Sequence, residues 1–260
     1  MPTGATFDSD GVRLAYDDIV PEGDDGAAPP IVLVHGFASS RHENWRDREW
    51  DDTLLEAGRR VIALDCRGHG ESEKPHDPTA YETDSMAADV VRLLEHLEIE
   101  RADFLGYSMG GRIGTEALYR HPERFNAAVL AGIGAATMEP SDAGDRIADG
   151  LLADDPDDVT DPLGKRFRVF AETTDNDLEA LAACARTRTA PADWDEIAQV
   201  EHPVLIVAGE HDDITGDPEP LAEGFPNGEA VIVDDADHLT TVPDERFTAA
   251  VLEFLEREGL

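Results

Sequence analysis

Lysine and cysteine are nearly missing from this chain. Its 21 basic residues include only two lysines, Lys74 and Lys165, and its 58 carboxylates leave a formal net charge of −37. That balance argues against nucleic acid or an anionic membrane surface as a partner, because each phosphate contact would be made against the field of the whole protein. The two cysteines, Cys66 and Cys184, form no Cys-x-x-Cys pair. They therefore provide neither a disulfide framework nor a zinc site, and they suit a reducing interior. Long hydrophobic runs are also missing: the most apolar stretch, Ala127 to Met138, falls well short of the ~20 residues needed to span a bilayer. The start, Met1-Pro2-Thr3-Gly4-Ala5-Thr6, has neither a basic nor an apolar signal region, so no secretory signal and a cytoplasmic location are expected.

What is present is enough apolar material for a core. Hydrophobic residues make up 41% of 260, a length that fits one large α/β domain. The acids, such as Asp154-Asp155 and Asp157-Asp158, are spread along the chain rather than gathered in one tail. A disordered acidic module, which needs a charge block and few hydrophobics, is therefore excluded. The composition resembles that of proteins from salt-loving archaea, whose carboxylate-rich surfaces work in molar salt.

Short apolar runs mark candidate strands. Thr6–Asp8 and Val12–Ile19 flank Asp10-Gly11, a hairpin signal. Ile31–Val34, Arg60–Asp65, Ala102–Tyr107, Ala127–Ala131, Val204–Ala208 and Glu229–Val233 lack polar alternation, as strands buried on both faces do. Helical spacing lies between them. Met86, Val90, Leu93, Leu94 and Leu97 follow Thr83, Asp84 and Ser85 as possible caps. Arg112–Arg120 stops before Pro122, and Arg246–Glu258 closes the chain. The alternation predicts an α/β protein, with a mostly parallel central sheet covered by helices on both faces. Residues 1–133 and 200–260 form its expected core. Residues 134–199 show no clean strand and are expected to form a helical cap or lid, with Ile147, Leu151, Leu152, Leu178 and Leu181 marking its helices. That segment carries Phe167, Phe170 and Trp194, and the stretch from Ala38 to Trp45 is expected to meet it at a pocket rim.

Gly106-Tyr107-Ser108-Met109-Gly110-Gly111 follows a predicted strand and precedes a predicted helix. A serine on so sharp a turn has a strained backbone and an Oγ lifted clear of the sheet, and bulk at either flanking glycine would clash. A phosphate cradle is excluded because no Gly-Lys-Ser/Thr ending follows. A nucleophilic serine needs a base and an orienting acid. Nine histidines are available. His121 and His202 precede prolines, His96 sits on a helix face, and His42 and His76 offer no pattern. His238 lies between the last strand and the last helix, in Asp234-Asp235-Ala236-Asp237-His238-Leu239. After the strand Val204–Ala208, Gly209-Glu210-His211-Asp212-Asp213 offers three carboxylates.

His35-Gly36-Phe37, Asp65-Cys66-Arg67-Gly68-His69-Gly70-Glu71-Ser72, Gly106–Gly111, Gly209–Asp212 and Asp237-His238 resemble, in order and spacing, the α/β-hydrolase superfamily. The likeness runs from about Ile31 to the C-terminus and thins across Gly134–Gln199. It implies Ser108 as nucleophile, His238 as base and, by the spacing from Gly209, Asp212 as acid, with Asp213 the next choice. The oxyanion donors it implies are the backbone N–H groups of Met109 and Phe37. Arg67 and His69 belong to a structural turn, and His35 is expected to brace backbone. With Ser108 at the nucleophile position, the Asp nucleophile of dehalogenases and epoxide hydrolases is absent.

The expected activity is hydrolysis of a small-molecule ester-type substrate, carboxylesterase-like, through an acyl-enzyme, with no metal or organic cofactor. Lactonase, thioesterase, perhydrolase and carbon–carbon bond hydrolase remain alternatives, as does a ligand-binding sensor with little turnover. Calcium binding by the acidic cap is disfavoured because its acids follow no Asp-x-Asp-x-Asp-Gly order.

Overall fold

The central strands of this protein are largely apolar and buried on both faces. The strands at the two edges of the sheet carry exposed residues, Glu229–Val233 among them, contrary to its reading as a strand buried on both faces. The structure is a computed structural model that describes residues 4–23, 26–174, 176–187 and 193–258. Eight strands, β1 (Ala5–Ser9), β2 (Val12–Ile19), β3 (Ile31–Val34), β4 (Val61–Leu64), β5 (Ala102–Tyr107), β6 (Phe125–Ala131), β7 (Val204–Gly209) and β8 (Gly228–Val233), lie in the order β1-β2-β4-β3-β5-β6-β7-β8. The hairpin pair β1–β2 and the pair β2–β4 are antiparallel, and every later pairing is parallel. Alternate residues face opposite layers. Val32, Val34, Phe104 and Ile206 pack into one cluster, and Ile31, Leu33, Leu105 and Val207 into the other. Each such side chain, fully removed from water, contributes about 1.5–3 kcal/mol of burial free energy, which sets the strand register.

The helices follow in chain order: α1 (Arg41–Asn44), α2 (Trp50–Glu56), α3 (Thr83–His96), α4 (Met109–Arg120), α5 (Ala143–Leu151), α6 (Pro162–Thr173), α7 (Leu178–Arg186), α8 (Trp194–Ile197), α9 (Glu219–Gly224) and α10 (Glu245–Glu258). Met86, Val90, Leu93 and Leu94 of α3 join the first cluster with Ile113 and Leu118 of α4. Trp50, Phe247, Val251 and Leu255 join the second. Two expectations need correction. Helix α4 starts at Met109, three residues before the predicted Arg112, because the chain turns straight out of Ser108 into the helix. Helix α3 is preceded by Glu82, without a side-chain cap bond, so none of Thr83, Asp84 and Ser85 caps it.

Among the described residues between β6 and β7 there are helices and turns but no strand. Ala148, Leu151, Ala171 and Leu181 from α5–α7 form a third cluster with Ala38, partly covered by Phe37 and Phe170. The Ala38 carbonyl accepts from Thr174 Oγ1 at 3.1 Å and Asn176 Nδ2 at 2.9 Å, tying the β3 loop to this helical segment. No helix among the described residues is long and apolar enough to cross a membrane.

Candidate active site

Ser108 sits in the one-residue step between β5 and α4, at φ 54° and ψ −108°, a region a non-glycine residue occupies only when its surroundings enforce it. The enforcement comes from close backbone approach. A Cβ on Gly106 would collide with the Gly110 carbonyl, and one on Gly110 with the Val34 and His35 carbonyls. The Ser108 N–H donates to Ala131 O at 2.7 Å, locking the turn to β6.

The ends of β7 and β8 supply the next two groups. His238 Nε2 lies 3.0 Å from Ser108 Oγ, and His238 Nδ1 lies 2.7 Å from Asp212 Oδ2. Both His238 and Asp212 are buried. Burial opposes ionisation of Asp212, but His238 and hydrogen bonds from Thr215 and Ile214 outweigh it and hold the carboxyl below its ordinary range. The backbone N–H groups of Ile214 and Thr215 donate to its second oxygen at 3.0 and 3.1 Å. The neighbouring carboxylates are occupied elsewhere: Asp213 is exposed and meets Arg166 at 3.2 Å, and Glu210 accepts the Asp235 N–H at 3.0 Å. Such a chain, carboxylate to imidazole to hydroxyl, is suited to drawing a proton from the hydroxyl as it attacks carbon.

The β3 loop closes on the same point. A Cβ on Gly36 would sit in ordinary contact, 3.6 Å from Ser108 Cβ and 3.5 Å from the Tyr107 carbonyl, which places the loop directly against the elbow. Phe37, next in the chain, lines the cavity above Ser108. Among the described residues its N–H has no hydrogen-bond acceptor. The N–H of Met109, in the first turn of α4, has no intrahelical acceptor by geometry. The Met109 side chain faces elsewhere, 3.9 Å from Cys184 Sγ.

The cavity encloses about 350 Å³, with Phe37, Phe167, Phe170, Ile214, Leu239 and Val242 as its apolar surface. Phe37 and Phe167 meet edge to face at 5.6 Å. Trp194, grouped with the two phenylalanines by sequence, is not there: it is half exposed and stacks over Gly224 beside α9. A sequence profile described as "alpha/beta hydrolase fold" matches residues 29–182, more than half of the chain. The chain belongs to the α/β-hydrolase family.

As an α/β hydrolase it is similar to a putative 2-succinyl-6-hydroxy-2,4-cyclohexadiene-1-carboxylate synthase of Bacillus subtilis (strain 168), at 28% identity over 95% of this chain and 96% of that one. Its fold is similar to that of a hydrolase from Pseudomonas aeruginosa PA01, with TM-score 0.78, 28% identity and coverage of 97% and 98%. It is also similar to the enol-lactonase from Burkholderia xenovorans LB400, with TM-score 0.76, 26% identity and coverage of 97% and 100%.

Several residues around the hydrolase's elbow are not singled out by the sequence pattern. Tyr107 Oη donates to the His238 carbonyl at 2.5 Å, pinning the histidine loop from below. The Gly36 N–H donates to Asn44 Oδ1 at 3.0 Å, which holds the β3 loop. Asp237 Oδ1 accepts the Leu239 and Thr240 N–H groups, both at 2.9 Å, making the turn that presents His238. The adjacent Asp-His pair is the one sequence signal for that turn. His35 braces backbone as expected. Its Nε2 accepts the Cys66 N–H at 3.0 Å and its Nδ1 meets the Gly36 carbonyl at 2.7 Å, the neutral tautomer, and burial pushes its pKa down to about 4. Arg67 is bound to Asp89 in the core. His69 is likewise buried, with its pKa lowered by burial to about 3. Among the described residues Glu210, His211 and Asp235 bring three potential metal-ligand atoms within 4.8 Å of one another, all exposed and none bonded to Ser108 or His238.

Proposed function

We propose that this α/β hydrolase is a serine hydrolase that cleaves a small ester-type bond through an acyl-enzyme. The observation supporting this reading is the unbroken chain Asp212–His238–Ser108, with links of 2.7 and 3.0 Å. In the reaction Ser108 Oγ attacks the carbonyl carbon while His238 Nε2 takes its proton. The carbonyl π-electrons move to oxygen, where the N–H groups of Phe37 and Met109 receive them. Collapse restores the carbonyl, breaks the bond to the leaving alkoxide and returns the proton from His238 to that oxygen. Water repeats the sequence on the acyl-enzyme, releasing acid and free Ser108. Asp212 keeps Nδ1 protonated throughout, so Nε2 is the acceptor. A lactone is the same chemistry with both products on one molecule, and the similarity to an enol-lactonase makes it the second substrate form to test.

Residues 134–199 act in this reading as a cap whose Phe167 and Phe170 shape the acyl pocket. The test is a panel of esters of increasing acyl length, with a fluorophosphonate probe alongside. Covalent labelling at Ser108 together with turnover supports the reading, whereas binding of ligands without labelling or turnover supports a sensor. In the same panel Phe170→Ala is expected to shift the preferred acyl length by one or two carbons, with an effect of about 10- to 100-fold on the disfavoured chains. A uniform loss at every length, with a lower melting temperature, would assign Phe170 to the core instead.

The net charge of −37 makes the folded state salt-dependent in this proposal. At about 1 M salt the screening length is roughly 3 Å, shorter than most spacings between surface charges, whereas in dilute buffer repulsion acts across the whole surface. The melting temperature is expected to rise steadily with KCl, and activity lost on dialysis to return with the fold. A melting temperature flat or falling with salt would overturn this.

A further inference from the structure

In a protein with 58 carboxylates almost every guanidinium has found an acceptor. Among the described residues two have no hydrogen bond or ion pair, Arg48 and Arg112. Arg112 does not line the cavity above Ser108, and Arg48 does. Arg48 is not short of neighbours. Asp47, Glu49, Asp51 and Asp52 lie within four residues of it along the chain. Two residues away, Arg46 meets Asp17 at 2.7 Å and Asp51 at 3.3 Å. Arg48 is exposed to solvent and at the same time lines the cavity. Arg48 ends a 3₁₀ turn, Arg46–Arg48, and the next residue, Glu49, stands at φ 61° and ψ 17°, the left-handed region that a non-glycine residue seldom adopts. The turn is held at both ends by fully buried tryptophans, Trp45 and Trp50, whose rings meet edge to face at 6.0 Å. Trp50 Nε1 donates to the Val242 carbonyl at 3.2 Å, and Val242 itself lines the cavity. The turn that carries Arg48 is thus anchored to the segment that follows His238.

The rest of the cavity makes the guanidinium stand out. Its body is aromatic and aliphatic, and the other cationic side chain on its wall, Arg166, is held only by Asp213, itself 72% exposed. Among the described residues Glu43 is the one carboxylate on the wall. An uncommitted planar fork of donors at the edge of an apolar slot matches a carboxylate at the end of an apolar chain, which it can bind with two parallel hydrogen bonds.

The geometry points to a substrate that carries a free carboxylate remote from the scissile bond, with Arg48 as its specificity-determining residue. This deepens the serine-hydrolase reading and rests on it for the reaction, while the binding itself does not depend on Ser108 chemistry. The local charge also answers a physical problem: an anionic substrate approaches a strongly anionic protein, and an unpaired arginine at the site supplies attraction where the overall field repels.

The experiment compares the 4-nitrophenyl monoester of a short dicarboxylic acid with the 4-nitrophenyl ester of the monocarboxylic acid of equal length. Both are assayed at the lowest KCl concentration that keeps the protein folded. The wild-type protein is expected to prefer the anionic ester, and Arg48→Gln to lower that preference, the ratio of the two kcat/KM values, by about 10- to 100-fold. Arg48→Lys should recover part of it, because the charge remains but the fork is lost. Glu43→Gln should raise it. In parallel, binding of 4-phenylbutyrate to the Ser108→Ala variant is measured by calorimetry, with and without Arg48→Gln. If neither ester is turned over but 4-phenylbutyrate binds in an Arg48-dependent way, the carboxylate site stands and the hydrolase reading fails. If the esters are turned over and Arg48→Gln leaves their ratio unchanged, the hydrolase reading stands and the carboxylate site falls. Absence of both turnover and Arg48-dependent binding overturns both.

Discussion

Ser108→Ala is expected to lower kcat on a small ester by up to about 10⁶-fold, because a nucleophile and its base act as a unit and removing one disables the other. The substitution keeps Cβ, so the backbone at φ 54° carries the same strain as before, and the Ser108 N–H still donates to Ala131 O. Far-ultraviolet circular dichroism and melting temperature should therefore match the wild type. The residual rate, about 10³–10⁴ over water, would come from binding and the N–H groups of Phe37 and Met109. Near-normal turnover in a correctly folded Ser108→Ala protein would remove Ser108 from the nucleophile role, and with it the acyl-enzyme.

The second large effect concerns the acid. Asp212→Asn should cost roughly 10⁴-fold in kcat while leaving the site's shape intact. The reason lies in the donors around it. The Ile214 and Thr215 N–H groups both point at Oδ1, so an asparagine must keep its oxygen there and turn its NH₂ toward His238 Nδ1. The imidazole is then forced to accept at Nδ1 and carry its proton on Nε2, where it faces Ser108 and cannot take another. Asp213→Asn removes only an exposed pairing with Arg166, worth a few-fold at most. The opposite order of damage would transfer the acid role to Asp213. Stability reports independently. The Asp212 carboxyl is held below its ordinary range, so its contribution is present above the unfolded-chain pKa and disappears as pH falls through the folded value. Asp212→Asn should lose that contribution at neutral pH and flatten the acid limb of melting temperature against pH.

Much of this architecture was legible in the residues. Ile31–Val34 and Val204–Ala208 read as buried strands because they are apolar without alternation, and both are strands with no exposed residue. The elbow was legible because Gly106, where a Cβ would meet the Gly110 carbonyl, answers a local steric demand, although the demand on Gly110 comes from the Val34 and His35 carbonyls across the sheet. The start of α4 was read three residues late, since Met109-Gly110-Gly111 looks like turn in propensity and is helix only because the backbone leaves Ser108 already committed to it. Trp194, which the sequence sets beside Phe167 and Phe170 in one segment, packs against Gly224 instead of lining the cavity, since aromatic bulk in an acidic segment signals contact with something but not with what.

What the sequence determined by itself is whatever depends on contiguous residues: the alternation of strand and helix, the strained serine turn, the order of carboxylate and histidine loops, and the anionic surface. The tertiary structure decided which of the adjacent acids faces His238, across 26 residues of chain, and brought that histidine to Ser108 across 130. It also decided that Tyr107 and Asn44 hold the two loops flanking the serine, and that one exposed arginine among the residues lining the cavity is left unpaired. These are matters of sheet register and loop docking. A shift of one strand by one residue would leave every local pattern intact while turning those side chains to the opposite face.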